Sequence, residues 1–332
     1  MSDCTPVHIR PYQLACLICR AGNDEPAPTD DRIAELGQLI REHPDTPLML
    51  CANIGDAYAW QDPGPADDTP EGTDFNRKRD LDILQRLDMA PGWALPARVL
   101  VKRLLLRMPT VAGVCGYDTV TGPGWQGCPR AHSGDYERGA ARGFAPHIPP
   151  RPDAEMAADK ERSLAAMEQA ETVRIRPHII ACAVCQYGGG TRPPFKEDNL
   201  PEFLQKVLAG WNPQVELVPG ADWDMCAPCP HRSAEGYCVT GRVSGAGVYN
   251  EMKDLEVMQA VGLTYGDTMP ARDIFRLILE RIPTADGVCA LTKVDAPVYS
   301  VWKDGCSSNT FPGAYEQGRE LLWEAFGCAG TP

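Results

Sequence analysis

The sequence predicts an α/β protein: a tandem duplication of two pseudo-symmetric, cysteine-rich α/β lobes. Three observations lead there. Arg10-Pro-Tyr-Gln-Leu-Ala-Cys16-Leu-Ile-Cys19 is matched by Arg176-Pro-His-Ile-Ile-Ala-Cys182-Ala-Val-Cys185. Arg107-Met-Pro-Thr-Val-Ala-Gly-Val-Cys115 is matched by Arg281-Ile-Pro-Thr-Ala-Asp-Gly-Val-Cys289, and half the positions from Pro96 to Cys115 recur in their counterparts. A length of 332 residues fits two domains. The expected division is a first lobe over 1–150, a linker and connecting helix over 151–172, and a second lobe over 173–332.

Each lobe reads in the same order. An apolar segment, Ile9 to Ile18 or Ile175 to Val184, leads into a C-x2-C pair. A helix follows over Asp31 to His43 or Leu200 to Trp211. In the first, Ile33, Leu36, Leu39 and Ile40 recur at helical spacing, with Thr29 or Asp30 as N-cap. A short strand comes next, Pro47 to Ala52 or Gln214 to Val218, and pairing with the opening segment would make a small β-α-β unit. Two helices then match across the lobes. Arg77 to Leu87 and Met252 to Val261 share an Asp-Leu pair, Asp80-Leu81 and Asp254-Leu255. Pro96 to Met108 and Pro270 to Ile282 share a Pro-Ala-Arg start, with proline where a helix tolerates it best. A last helix begins at Tyr136 or Tyr315. Between the lobes, Ala145-Pro-His-Ile-Pro-Pro-Arg-Pro-Asp is a linker. Ala154 to Thr172, rich in Ala, Glu, Lys and Met, reads as a helix too sparse in apolar residues for deep burial.

The net charge of −13 argues against a nucleic-acid or anionic-membrane surface and suits a basic redox partner protein. Met1-Ser-Asp-Cys-Thr-Pro has neither a basic start nor an apolar stretch, so no signal peptide is expected. No apolar run is long enough to span a bilayer. A cytoplasmic location is therefore expected, where clustered thiols bind metal more often than they form disulfides. The sequence does not fix an oligomeric state.

Fourteen cysteines are then the main functional signal. Eight belong to the repeat: Cys16, Cys19, Cys115 and Cys128 in one lobe, Cys182, Cys185, Cys289 and Cys306 in the other. Four thiols per lobe, one C-x2-C pair and two distant singles, are a soft ligand set suited to an iron–sulfur (4Fe-4S) cluster. Structural zinc is the alternative, although zinc ribbons use two close pairs. The second lobe adds Cys226, Cys229 and Cys238 in one loop, which the first lacks. Three thiols imply a third four-iron cluster short of one cysteine. Asp222, Asp224, His231, water or a substrate would then take the fourth position. An iron without a protein thiolate acts as a Lewis acid toward a substrate oxygen or sulfur. Asp222, Asp224 and His231 are thus the candidates for catalytic roles, against the plainer readings of turn aspartates and an exposed histidine. Cys51 reads as a core thiol, and Cys4 and Cys328 as terminal and uninvolved. Trp125 and Trp302 are expected to pack over the thiol sets and Tyr136 and Tyr315 to pack at helix starts. His178 is either a structural histidine or a donor near the cysteines. Gly188 to Gly190 reads as a loop and Asp62 to Asp74 as an exposed insertion.

Arg176, His178, Cys182, Gly220, Asp222, Cys226, Cys229, Pro230 and Cys238 together resemble a small cysteine-rich domain family of unknown function. That family opens Arg-x-His-His-Leu-Leu-Cys and is predicted to bind an iron–sulfur cluster. The resemblance covers roughly Arg176 to Pro283, with Ile179 in place of the second histidine. The first lobe keeps Arg10, Pro11 and Cys16 but has Tyr12 for the histidine and no second C-x2-C. The resemblance implies that Cys182 joins Cys226, Cys229 and Cys238. The internal repeat joins it instead to Cys185, Cys289 and Cys306, and is preferred because the first lobe has only that set. Three functions are expected in order: an electron-transfer protein with about three clusters, an iron–sulfur-dependent oxidoreductase or lyase-type enzyme, or a zinc-stapled interaction module.

Overall fold

A computed structural model describes residues 5–23, 31–54, 61, 63–64, 68–190, 198–239, 247–289 and 313–332. Cys4, Trp302, Cys306 and part of the 62–74 stretch lie outside the described residues. The chain has mixed helix and sheet and divides into two compact units, Met1–Pro150 and Arg151–Pro332. Among the described residues no helix is long and apolar enough to cross a membrane.

The first unit runs β1 (Val7–Ile9), α1 (Pro11–Gly22), α2 (Asp31–Glu42), β2 (Pro47–Leu50), α3 (Thr73–Leu87), β3 (Ala94–Pro96), α4 (Ala97–Arg107) and α5 (Asp135–Ala141). Strand β2 is central, parallel to β1 (Val7 opposite Leu48) and antiparallel to β3 (Leu48 opposite Leu95). A parallel pair needs a crossover, and α1 and α2 supply it. The apolar opening segment is not a strand up to its cysteines: β1 ends at Ile9 and the C-x2-C lies on α1. Pro11 at the first helical position and the Arg10 N–H donating to Gln13 Oε1 at 2.7 Å start the helix. Leu14, Leu17 and Ile18, spaced three and four apart, bury its inner face. Cys16 and Cys19, three residues apart, therefore share one face of α1.

Helices α1 and α5 approach backbone to backbone. A Cβ on Gly22 would stand 1.8 Å from the Asp135 carbonyl oxygen, and one on Gly139 would stand 1.9 Å from that of Ile18. The Tyr136 hydroxyl donates to the Met108 carbonyl at 2.6 Å and ties α5 to the end of α4.

The second unit opens with α6 (Asp153–Gln169), then β4 (Thr172–Ile175), α7 (Pro177–Gly188), α8 (Leu200–Leu208), β5 (Gln214–Leu217) and α9 (Trp223–Cys226). It continues with α10 (Val248–Val261), β6 (Thr268–Pro270), α11 (Ala271–Arg281), α12 (Asp286–Cys289) and α13 (Ala314–Trp323). Its sheet has the order β4-β5-β6, parallel then antiparallel, with Ile175 opposite Leu217 and Val215 opposite Met269. Here too the opening segment becomes a helix: β4 ends at Ile175, and Cys182 and Cys185 lie on α7. The connecting helix stops at Gln169, because Thr172, Val173 and Ile175 alternate outward and inward as a strand does. It buries Asp159, Ser163 and Met167 rather than a broad apolar stripe. Helices α7 and α13 make the second close crossing. A Cβ on Gly188 would stand 2.0 Å from the Ala314 oxygen, and one on Gly318 would stand 1.9 Å from that of Val184. The Tyr315 hydroxyl donates to Ile282 at 2.9 Å.

Candidate metal centres

In the first unit, α1 carries Cys16 and Cys19, a turn after α4 carries Cys115, and a glycine-bearing loop carries Cys128. The Cys128 N–H donates to the Cys115 carbonyl at 2.8 Å, joining the two singles. Gly127, at φ +79°, makes that approach feasible: a Cβ there would stand 2.7 Å from the same oxygen. Burial raises the Cys19 thiol well above its ordinary range, and Cys16, Cys115 and Cys128 are near enough to raise it further by repulsion. Burial pushes Cys115 up to about 12, with the Arg79 guanidinium opposing. The buried Cys19 and Cys115 thiols do not ionise readily unaided; a bound cation would offset that penalty by displacing their protons. Trp125 is half-buried and meets Tyr117 edge-on, its ring centroid 6.4 Å away.

In the second unit, Cys182 and Cys185 from α7 and Cys289 from α12 line one cavity with His178, Lys253 and Tyr315. The fourth cysteine of this set, Cys306, lies outside the described residues. The Tyr249 hydroxyl donates to the Cys289 carbonyl at 2.7 Å and braces α10 against α12.

Each of these thiol sets has a buried cation with no carboxylate in ion-pair contact among the described residues. Arg79 on α3 is 2% exposed, and its Nε is buried without a hydrogen-bond partner. Its guanidinium carbon lies 4.2 Å from the Tyr12 ring centroid, and the group acts electrostatically on Cys115. Lys253 on α10, 5% exposed, holds its Nζ 5.1 Å from the Tyr249 ring centroid and lines the cavity of Cys182, Cys185 and Cys289. Arg79 also acts electrostatically on the buried Asp80; a buried charge without a contacting counter-charge is costly, and anionic sulfur beside it would offset that cost.

The third set forms around α9. Asp222 caps this short helix: its Oδ1 accepts from the Met225 N–H at 2.6 Å and its Oδ2 from the Arg176 N–H at 3.3 Å. Burial pushes its carboxyl up to about 6 against these two bonds. The Cys226 thiol lies 3.8 Å from Asp222 Oδ2 and is raised first by burial, then by Asp222 and Cys229, with Arg176 opposing and Cys238 adding to the repulsion. Two donors already point at sulfur. The His231 N–H reaches Cys229 Sγ at 3.4 Å, and Asn250 Nδ2 reaches Cys238 Sγ at 3.5 Å. Such bonds stabilise thiolate sulfur. Gly247, at φ +86°, lets the chain pass the Cys238 carbonyl, 2.2 Å from where a Cβ would stand. Arg151 donates to the carbonyls of Ala227 at 2.5 Å and Cys229 at 3.1 Å, and pairs with Asp159. Asp224 Oδ2 accepts from the Arg174 N–H at 2.6 Å, and His231 is exposed. The two aspartates thus serve the local fold.

One arrangement was not anticipated from the sequence. Asp80 is fully buried; its Oδ2 accepts from Arg10 Nε at 2.7 Å and its Oδ1 from the Tyr12 N–H at 2.9 Å. Asp254 does the same for Arg176, at 2.6 Å, and for the His178 N–H, at 2.9 Å. It also faces His178 Nδ1 at 2.6 Å. Burial alone would raise the Asp254 carboxyl, but His178 and Arg176 hold it below its ordinary range. In the second unit the chain Arg176–Asp254–His178 therefore runs between two thiol sets. Arg176 is within electrostatic reach of Cys226 and Cys238, while His178 lines the cavity of Cys182, Cys185 and Cys289. The shared Arg-Pro and Asp-Leu pairs were the visible signal of this contact.

No disulfide links the twelve described cysteines to one another. Among the described residues, no group of three or more His, Cys, Asp or Glu is gathered so as to hold a single metal ion. Cys51 is buried behind β2, and Cys328 is half-buried near the end of the chain. Comparison with models of protein families, with curated proteins and with solved structures finds no match to this chain.

Proposed function

We propose that this chain is an iron–sulfur protein formed by tandem duplication of one α/β lobe. Cys16, Cys19, Cys115 and Cys128 hold one four-iron cluster, and Cys182, Cys185, Cys289 and Cys306 a second. Cys226, Cys229 and Cys238 hold a third. The observation that carries this reading is a buried cation, in carboxylate ion-pair contact with none of the described residues, beside each repeated thiol set: Arg79 in one lobe and Lys253 in the other. Such cations balance the negative charge that thiolate-ligated iron brings into a protein interior. The resemblance of the second lobe to the small cysteine-rich family belongs to the same proposal.

A four-iron cluster supplies one-electron transfer. The chain's own residues hold it dry, give hydrogen bonds to sulfur and set the local charge, all of which tune the potential. On this reading the protein exchanges electrons with a redox partner protein in the cytoplasm. Cys128→Ser tests the first assignment: about four of the iron atoms should be lost, and recovery of the full iron content would remove it.

A second reading is favoured by one observation. Asp222 and Asp224, the two aspartates just before the three-cysteine loop, already accept backbone N–H bonds. The fourth position there is then left for an exchangeable small molecule, which would make the loop an enzymatic site. A change in the visible spectrum on adding azide would support this reading, and an unchanged spectrum would count against it.

A further inference from the structure

Arg79 and Lys253 stand at the same position of the sequence repeat. Arg79 precedes the buried Asp80 and Lys253 the buried Asp254, each with an aromatic ring one helical turn earlier, Phe75 and Tyr249. The contact between cation and ring recurs as well, at 5.2 Å in the first unit and 5.1 Å in the second. Residues four apart share a helix face, so the cation and its ring recur together. What each cation is tied to differs between the units.

Arg79 is held by protein groups. Its guanidinium donates to Asn76 Oδ1 and to Thr69 Oγ1 and lies over the rings of Tyr12 and Phe75. Its charge is spread over a planar group. Lys253 Nζ makes no hydrogen bond or ion pair among the described residues, and it keeps accessible surface although the residue is 5% exposed. Lys253 lines the cavity of Cys182, Cys185 and Cys289. An ammonium is a compact charge with three donors, and here all three are left for what fills that cavity. Positive charge and hydrogen bonds to sulfur favour the reduced, more negative form of a cluster. We propose that the residue before each buried aspartate sets the reduction potential of its unit's repeated thiol site, and that Lys253 makes the second unit's potential the higher of the two. A one-electron reductant then fills the second unit's cluster before the first's; each cluster gains one electron, and no covalent bond forms or breaks. The proposal rests on the iron–sulfur reading.

The test is a potentiometric titration of the full chain with dithionite, followed by electron paramagnetic resonance, with iron content measured in parallel. Lys253→Met should keep its iron and move one reduction wave to lower potential, by about tenfold in the reduction equilibrium, or about 59 mV for a one-electron couple. Lys253→Arg, which keeps the charge, should move that wave less. Arg79→Met should move a different wave, one that lies lower in the unaltered protein. A second readout needs no cluster: the iron-free chain carrying Lys253→Met should melt at the same temperature or higher, because a buried charge without a contacting counter-charge is gone. Full iron with unmoved waves, one wave moved by both Met variants, or a higher wave for Arg79 overturns the proposal and leaves the iron–sulfur reading standing. So does loss of iron from Lys253→Met, or a marked fall in the melting temperature of its iron-free chain; either makes Lys253 a support of the site and not the residue that sets its potential. An unaltered protein without iron and sulfide overturns both.

Discussion

The first unit sets a cavity beside its buried arginine where the second sets the Cys226 and Cys238 thiols, yet several elements around those features recur in both. Both have a three-stranded sheet with a parallel and an antiparallel edge. Both cross two helices at paired glycines, Gly22 with Gly139 and Gly188 with Gly318. Both bury an Arg–Asp pair and a tyrosine that donates to a backbone carbonyl. The differences fall on groups facing the candidate sites: Tyr12 against His178, and Arg79 against Lys253. The comparison teaches that the frame and its chemistry vary separately. Residues common to the lobes identify the frame, and those that differ point to specialised use.

The largest effects should come from the cysteines. Cys19→Ser and Cys185→Ser should each remove about four iron atoms, measured by metal analysis, and Cys229→Ser a further four. Equal losses would support equivalent sites; a loss from one lobe alone would break the comparison. Next come the buried pairs. Asp80→Asn and Asp254→Asn should each cost about 3–5 kcal/mol in denaturant unfolding, since each leaves a buried arginine uncompensated. Asp254→Asn should cost more, because Asp254 also faces His178 Nδ1. The reverse order would show that the histidine contact contributes nothing. Gly22→Ala and Gly188→Ala should cost similar amounts, about 1–3 kcal/mol, because both push a methyl group into a facing carbonyl. A large difference between them would show that the two helix crossings are not equivalent.

The smallest effect belongs to the first lobe alone. Burial holds His147 neutral, with its folded-state value lowered to about 4, and Arg41 adds to the shift. Its stabilising contribution is complete above the unfolded value, about 6.5, and is lost as pH falls toward about 4. Between pH 7 and pH 6 the first lobe should lose about 0.7 kcal/mol, and more below that. His147→Gln should flatten this dependence and leave the second lobe's transition where it was.

Much of this frame was legible in the sequence because it rests on local signals. Proline before Ala97 and Ala271, and apolar spacing at Ile33, Leu36 and Ile40, act within one helix turn. The C-x2-C segments were misplaced because a run such as Leu14-Ala-Cys-Leu-Ile is apolar at both helical and strand spacing. Only Pro11, Gln13 and Pro177 mark the helix start. Strands β3 and β6, three residues each, are too short to show a period. The Arg10–Asp80 and Arg176–Asp254 pairs join residues 70 and 78 positions apart, so spacing along the chain is silent about them. No motif in the sequence singles out Arg79 or Lys253, because only packing buries them. The cysteine sets were legible because a thiol in a matched flank is conspicuous. The cavity lined by Arg10, Leu36 and Leu39 was not, because it is defined by how separate segments pack.

The most direct test of the central claim is the iron and acid-labile sulfide content of the full chain purified without oxygen. Clusters in both lobes and in the three-cysteine loop predict about twelve iron and twelve sulfide per chain. A colourless protein with stoichiometric zinc and no sulfide would contradict the account.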